Sequence, residues 1–199
     1  LYTSEYQPLS PGCINAPGHL AKGRYLKYCY KSDRKYERYF IMSRQQYPGY
    51  ETGPIRPPSE HASLLLRVTR NCPWNRCRFC TLYKGTTFSI RRKEDVMADL
   101  DAVRACVDLL EKMAAGSGAE AEREFHALMA RLGSSGPEVC QSAAAWFRAG
   151  MTSVFLQDAN TMLVKPDDLV DILAYLRALF PEVRRVTSYG RSHTIARIS

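Results

Sequence analysis

The chain has 199 residues, 45% of them hydrophobic and 24% charged, with a net charge of +8. That length supports one well-buried domain with room for an appendage, and no apolar run approaches the roughly 20 residues a membrane helix needs. The first residues lack the basic-then-apolar order of a signal peptide. A cytoplasmic setting is therefore the expectation, and of the seven cysteines the three that crowd into nine residues are read for metal rather than for disulfides.

Residues 1–41 hold seven Lys/Arg against three Asp/Glu, half of the net charge, and seven of the twelve tyrosines. Tyr25, Tyr28, Tyr30, Tyr36 and Tyr39 alternate there with Lys27, Lys31, Arg34, Lys35 and Arg38. Such interleaving could stack on and neutralise RNA, but a poorly ordered leader is the expectation, since termini are usually loose. Met42 begins a stretch of different character, so the natural start is expected there, and Cys13 and Cys29 are expected to be free thiols. No basic run beyond the leader is longer than Arg91-Arg92-Lys93, so charge alone does not establish a nucleic-acid partner.

Residues 42–62 read as an extended connector, with Pro48, Gly49, Gly53, Pro54, Pro57 and Pro58. His61 follows as a surface or capping residue. Residues 63–69 predict a first strand whose consecutive Leu64, Leu65 and Leu66 suit burial on both faces of a parallel sheet. A helix from about Lys93 carries Val96, Leu100, Val103, Val107 and Leu110 on one face, with Cys106 as a small core residue. Gly116-Ser117-Gly118 ends it. A second helix over Ala119–Leu132 places Phe125, Leu128 and Leu132 together and leaves His126 solvated. A third opens at Pro137, with Cys140 in its first turn as a structural residue, and closes at Gly150.

Thr152–Asp158 predicts the second strand, with Asp158-Ala159-Asn160 at its carboxyl end. Pro166-Asp167-Asp168 starts a helix with Leu169, Ile172, Leu173, Leu176 and Leu179 on its apolar stripe, stopped by Pro181. Val183–Tyr189 predicts a third strand. The alternation gives an α/β protein with a parallel sheet, in which chemistry gathers at the carboxyl ends of strands. The cysteines, Asp158/Asn160 and Ser188/Tyr189 all fall at such ends.

Between the first strand and the first helix lies Asn71-Cys72-Pro73-Trp74-Asn75-Arg76-Cys77-Arg78-Phe79-Cys80, with cysteines spaced Cys-x4-Cys-x2-Cys. Structural zinc takes four ligands, usually in two pairs; His61, Cys106 and Cys140 are fourth-ligand candidates by elimination only. Three thiolates also suit an iron–sulfur cluster with one iron open to a non-protein ligand, and the spacing favours the cluster over zinc. Three unmetallated core cysteines fit least, because Pro73, Asn75, Arg76 and Arg78 make the loop polar.

The loop resembles that of the radical S-adenosylmethionine superfamily, whose signature is three cysteines with an aromatic before the last. Most members space the first two cysteines by three residues, whereas here there are four, as in an uncharacterised subgroup with a Cys-Pro-Trp-Asn loop. The resemblance covers about Met42 to Ser199. It implies that Cys72, Cys77 and Cys80 bind a [4Fe-4S] cluster whose fourth iron chelates S-adenosylmethionine, and that Phe79 packs beside adenine. It further implies that Asp158, with Asn160 second, contacts the methionyl ammonium, and that Ser188 and Tyr189 line the pocket. The implied enzyme takes an electron from a flavodoxin- or ferredoxin-like reductant and generates a 5′-deoxyadenosyl radical. That radical abstracts hydrogen from a substrate the sequence does not reveal. The expected architecture is the N-terminal part of a (β/α) TIM-like barrel, over residues 63–199, with a helical insertion between the first two strands. The chain is expected to be a fragment with little activity alone. A tRNA-modifying enzyme of the same chemistry, and a zinc-stabilised nucleic-acid-binding module, are the alternatives.

Overall fold

A computed structural model describes residues 47–116 and 118–197 of the chain; the expectations on residues 1–41, Cys13 and Cys29 among them, lie outside the described residues. Five strands form, β1 (Leu64–Arg67), β2 (Thr69–Arg70), β3 (Ser89–Ile90), β4 (Ser153–Gln157) and β5 (Arg185–Ser188). The helices are α1 (Lys93–Ala114), α2 (Gly118–Leu132), α3 (Gly136–Arg148), α4 (Pro166–Leu179) and the single turn α5 (Ser192–Ile195). No helix among the described residues is long and apolar enough to cross a membrane.

The main sheet has three parallel strands in the order β1-β4-β5, as the alternation of elements predicts. Among the described residues it is an open sheet, not a closed barrel. Leu64↔Val154 and Leu66↔Leu156 are in register, as are Val154↔Val186 and Leu156↔Ser188. Alternation along the strands sends Leu64, Leu66, Val154 and Leu156 into one core with the helices. Leu65 and Phe155 point to the other face and are buried too. The leucine triplet therefore serves two faces, as a strand buried on both sides must.

The apolar stripe of α1 is buried from Val96 to Val107, but Leu109 rather than Leu110 completes it. In α4, Ile172 and Leu176 are buried, with Leu169, Leu173 and Leu179 packed against the core. Trp146 of α3 anchors the layer: its ring meets Phe180 edge-on at 4.9 Å, and its indole N–H donates to the Ser153 carbonyl at 2.8 Å. Gly150, at φ 81°, sits just past α3, where backbone N–H groups return to Trp146 and Phe147. A left-handed residue is needed there, and glycine adopts it without a Cβ penalty.

Three expectations need correction. Phe125 is 40% exposed and meets His126 edge-on, while Ala121 and Leu128 are buried and Leu132 packs against the core; of the stripe read at 125, 128 and 132, Phe125 alone is out of place. Cys106 and Cys140 are bonded to each other, joining α1 to α3 with Cα atoms 5.4 Å apart. Both lie in or against the core, as expected, but the bond between them removes them as spare ligands. Finally, the first strand does not run unbroken over 63–69, for Val68 separates β1 from the short β2, which leaves the main sheet to pair antiparallel with β3.

The connector lies along the free edge of β1. The Tyr50 hydroxyl donates to the Leu65 carbonyl at 3.0 Å, and the Gln157 side-chain amide donates to the carbonyls of Gly53 and Ile55. Gly53 N–H returns to the Gln157 side-chain oxygen at 2.7 Å. A buried glutamine on β4 so holds a proline- and glycine-rich segment whose own backbone has no ladder partner.

Candidate functional site

The cysteine segment is a hairpin excursion. Thr69↔Ile90 and Arg70↔Ser89 pair its two ends, so residues 71–88 leave and return at one place on the carboxyl edge of the sheet. Two asparagines shape its interior. Asn71 (φ 67°) and Asn75 (φ 45°) adopt left-handed backbone, a region Asn tolerates better than most residues. The Asn71 side-chain amide donates to the Thr87 carbonyl at 2.6 Å, and that of Asn75 to the Tyr83 carbonyl at 2.6 Å. The asparagine of the Cys-Pro-Trp-Asn string thus fixes the turn between the first two cysteines.

Cys72, Cys77 and Cys80 are free and half-buried. Cys72 Sγ accepts a hydrogen bond from the Asn75 backbone N–H at 3.5 Å. Phe79 is 90% exposed and Trp74 is 44% exposed. The Arg191 guanidinium lies 4.3 Å from the Trp74 ring centroid and that of Arg76 lies 5.5 Å from it. Trp74 therefore ties the cysteine loop to the loop after β5.

Among the described residues, no three His, Cys, Asp or Glu side chains are gathered closely enough to hold a metal ion. The donor set itself is soft and free of disulfides: three thiols within nine residues, suited to iron–sulfur or zinc chemistry. Of the fourth-ligand candidates, Cys106 and Cys140 are consumed by their own bond. His61 lies before β1, at the opposite end of that strand from the cysteines, where its ring contacts the Pro58 carbonyl at 3.2 Å. The residues fit a three-thiolate centre in kind and number; the loop has to draw its sulfurs together to make one.

Beneath the loop sits Asp158, whose side chain is fully buried. One carboxylate oxygen accepts from Arg67 Nη2 at 2.8 Å, from Arg67 Nε at 3.1 Å and from the Asn71 backbone N–H at 3.1 Å. The other accepts from the Tyr83 hydroxyl at 2.7 Å. Its own N–H donates to Thr69 Oγ1 at 3.0 Å. Burial, reinforced by the adjacent Asp158 carboxylate, pushes the Tyr83 hydroxyl far above its ordinary pKa and keeps it a donor. Asp158 thereby joins β1, β4, both halves of the cysteine loop and, through Arg67, the connector.

Glu51 is the second hub. It bridges Arg67 at 3.1 Å and Arg91 at 2.8 Å, and also pairs with Arg70. Burial pulls its pKa upward, but the hydrogen bond from Arg70 and the charges of Arg91, Arg70 and Arg67 outweigh it and hold the carboxyl below its usual value. Arg91 in turn donates to the Arg67 carbonyl at 2.8 Å and clasps buried Asp99. Burial lifts Asp99 to about 6 despite Arg91 and Tyr47.

The remaining predicted site residues form the far part of the same rim. The Asn160 side-chain amide donates to Thr194 Oγ1 at 2.9 Å, and its carbonyl accepts from the Arg191 N–H at 3.2 Å. The Thr161 N–H donates to the Tyr189 carbonyl at 3.1 Å, and the Tyr189 ring meets Phe155 edge-on at 5.2 Å. Ser188 ends β5, half-buried, and Tyr189 is 39% exposed. All three strand ends therefore lie on one edge. Sequence reading missed Arg67, Tyr83, Glu51 and Gly53; the only signal was an arginine closing an otherwise apolar strand.

Fold and rim together define a parallel α/β unit that carries a cysteine hairpin on the carboxyl edge of its sheet. Compared with known proteins, the chain matches no family model, no curated protein and no solved structure.

Proposed function

We propose that the chain is part of a radical S-adenosylmethionine enzyme, with Cys72, Cys77 and Cys80 as the three thiolate ligands of a [4Fe-4S] cluster. The observation that supports it best is the count of free donors. With Cys106 and Cys140 bonded together and His61 at the far end of β1, the described residues leave three free cysteines on one loop and no fourth cysteine to complete a four-cysteine zinc site. A cluster bound in this way supplies one electron to the sulfonium of S-adenosylmethionine and so a carbon radical able to take hydrogen from a substrate.

The chain's own residues prepare the place. Asn71 and Asn75 turn the loop, and Asp158 and Tyr83 fasten it to the sheet. The exposed Phe79 ring is free to cover an adenine, and Ser188 and Tyr189 border the same edge. A methionyl ammonium that reached Asp158 would have to replace one of the donors the carboxylate now holds. In this reading the three parallel strands begin a (β/α) barrel, and the connector side of the sheet faces its interior.

Anaerobic reconstitution with iron and sulfide, then dithionite and S-adenosylmethionine, tests the reading. Brown protein that releases 5′-deoxyadenosine, with the release abolished in Cys77→Ala, is the expected result. Colourless protein holding stoichiometric zinc would sink it.

A further inference from the structure

Residues 61–93 carry eight Lys/Arg and no Asp/Glu. Five of these cations are neutralised within the fold: Arg67 by Asp158 and Glu51, Arg70 by Glu51, Arg91 by Asp99, Arg92 by Asp95 and Lys93 by Asp171. The other three, Arg76, Arg78 and Lys84, lie on the cysteine loop. All three are exposed, and among the described residues none meets a carboxylate. Lys84 Nζ instead donates to the Asn75 carbonyl at 3.1 Å, which holds its charge on the cysteine loop. Arg191 adds a fourth cation from the loop after β5, 4.3 Å from the Trp74 centroid. Among the described residues, the carboxylates of this rim, Glu51 and Asp158, are already held by arginines.

We infer that this cationic, aromatic rim binds a single-stranded nucleic-acid segment, which names the substrate class of the enzyme proposed above. The inference rests on that reading for the chemistry but not for the binding. Two properties select the partner. Unneutralised cations attract any polyanion, through phosphate contacts and release of counterions. A half-exposed indole with guanidinium groups over its ring adds a stacking site for an unpaired base, since bases stack on aromatic rings and on guanidinium planes alike. An acidic peptide would engage the cations and leave the ring in water. A duplex would keep its bases stacked away from the ring.

The test is fluorescence anisotropy with the full chain and a labelled 20-nucleotide single-stranded RNA, with heparin as a polyanion lacking bases. Because residues 1–41 are basic as well, the loop's share is read from loop variants against the parent chain. Trp74→Ala is expected to weaken RNA binding at least about fivefold, the lower end of one base–aromatic stack, and to leave heparin affinity unchanged. Arg78→Glu is expected to weaken both ligands and to flatten the salt dependence of RNA binding by roughly 0.7 in log–log slope. Trp74 and Arg78 are solvent-facing, and circular dichroism confirms that each variant is folded. RNA binding that neither substitution alters would overturn the inference, as would equal losses for RNA and heparin in Trp74→Ala or tighter binding of polyglutamate than of RNA. Assaying 5′-deoxyadenosine on the same preparation separates the two readings: RNA bound without 5′-deoxyadenosine defeats only the enzyme, and the reverse defeats only the nucleic-acid surface.

Discussion

Replacing Asp158 by Asn is expected to destabilise the fold by about 3 kcal/mol. Its carboxylate is fully buried and receives Arg67, Tyr83 and the Asn71 N–H. Removing one partner of a buried ion pair costs roughly 3–5 kcal/mol, because the other charge is left uncompensated. The lower end applies here, since Arg67 keeps Glu51 at 3.1 Å and the Thr52 carbonyl at 3.3 Å. For a unit of this size that loss lowers Tm by about 6–12 °C and shifts a urea midpoint by about 1.5 M at a slope of about 2 kcal/mol/M. A double-mutant cycle with Arg67→Met isolates the pair, and a coupling of at least about 1 kcal/mol is expected. Paired apolar replacements, Arg67→Met with Asp158→Leu, are expected to recover much of the loss. An Asp158→Asn chain that unfolds at the parent's midpoint would refute the reasoning and leave Asp158 as a solvated ligand.

Gly53→Ala is expected to cost about 1–3 kcal/mol by overpacking: a Cβ there would lie 2.5 Å from Asp158 Oδ1, a carboxylate with no room to retreat, and thermal unfolding reads the loss. Reducing the Cys106–Cys140 bond, which spans 34 residues of sequence, is expected to lower stability by up to about 4 kcal/mol on the chain-entropy estimate; urea unfolding with and without reductant measures it, and non-reducing peptide mapping must first find the linked peptides. Asp99 gives a pH signature. Its folded pKa of about 6 lies above the unfolded 3.8, so the folded state retains a proton in that window that the unfolded state has lost, and its contribution to stability falls as pH rises from about 4 to 6. The stability of Asp99→Asn relative to the parent should therefore improve across those two units, and a flat difference would contradict the assignment.

What could be read in the sequence was what repeats along it. Leu64-Leu65-Leu66, the stripes of α1 and α4, Pro166 and Gly150 each declare an element through local periodicity or backbone preference. The placement of three polar strand ends on one edge then followed from the parallel order. Contacts between distant segments left no such trace. Arg67 and Asp158 stand 91 residues apart, and Tyr83 and Asp158 stand 75 apart, so neither pairing has a local signal. β2 and β3 are two residues each, too short for alternation to show. Asp158 stood out by its position at a strand end, but its partners, which decide whether it is available to a ligand, appear only in three dimensions. Cys106 and Cys140 looked like helix-packing residues because each lies in a helix; that α1 and α3 bring them together depends on how the helices cross.

The pairing of Thr69 with Ile90 has a further consequence for how this molecule can vary. It pins both ends of an 18-residue segment, Asn71 to Phe88, before any residue within it is considered. Changing the length of a segment whose ends are already joined adds little closure entropy, since each doubling costs only about 0.6 kcal/mol. An inserted or deleted residue between Cys72 and Cys77 is therefore expected to be taken up within the hairpin without shifting the register of β1 against β4. The register of the main sheet is thus set apart from the length of the cysteine loop, even though Asp158 and Tyr83 fasten that loop to the sheet.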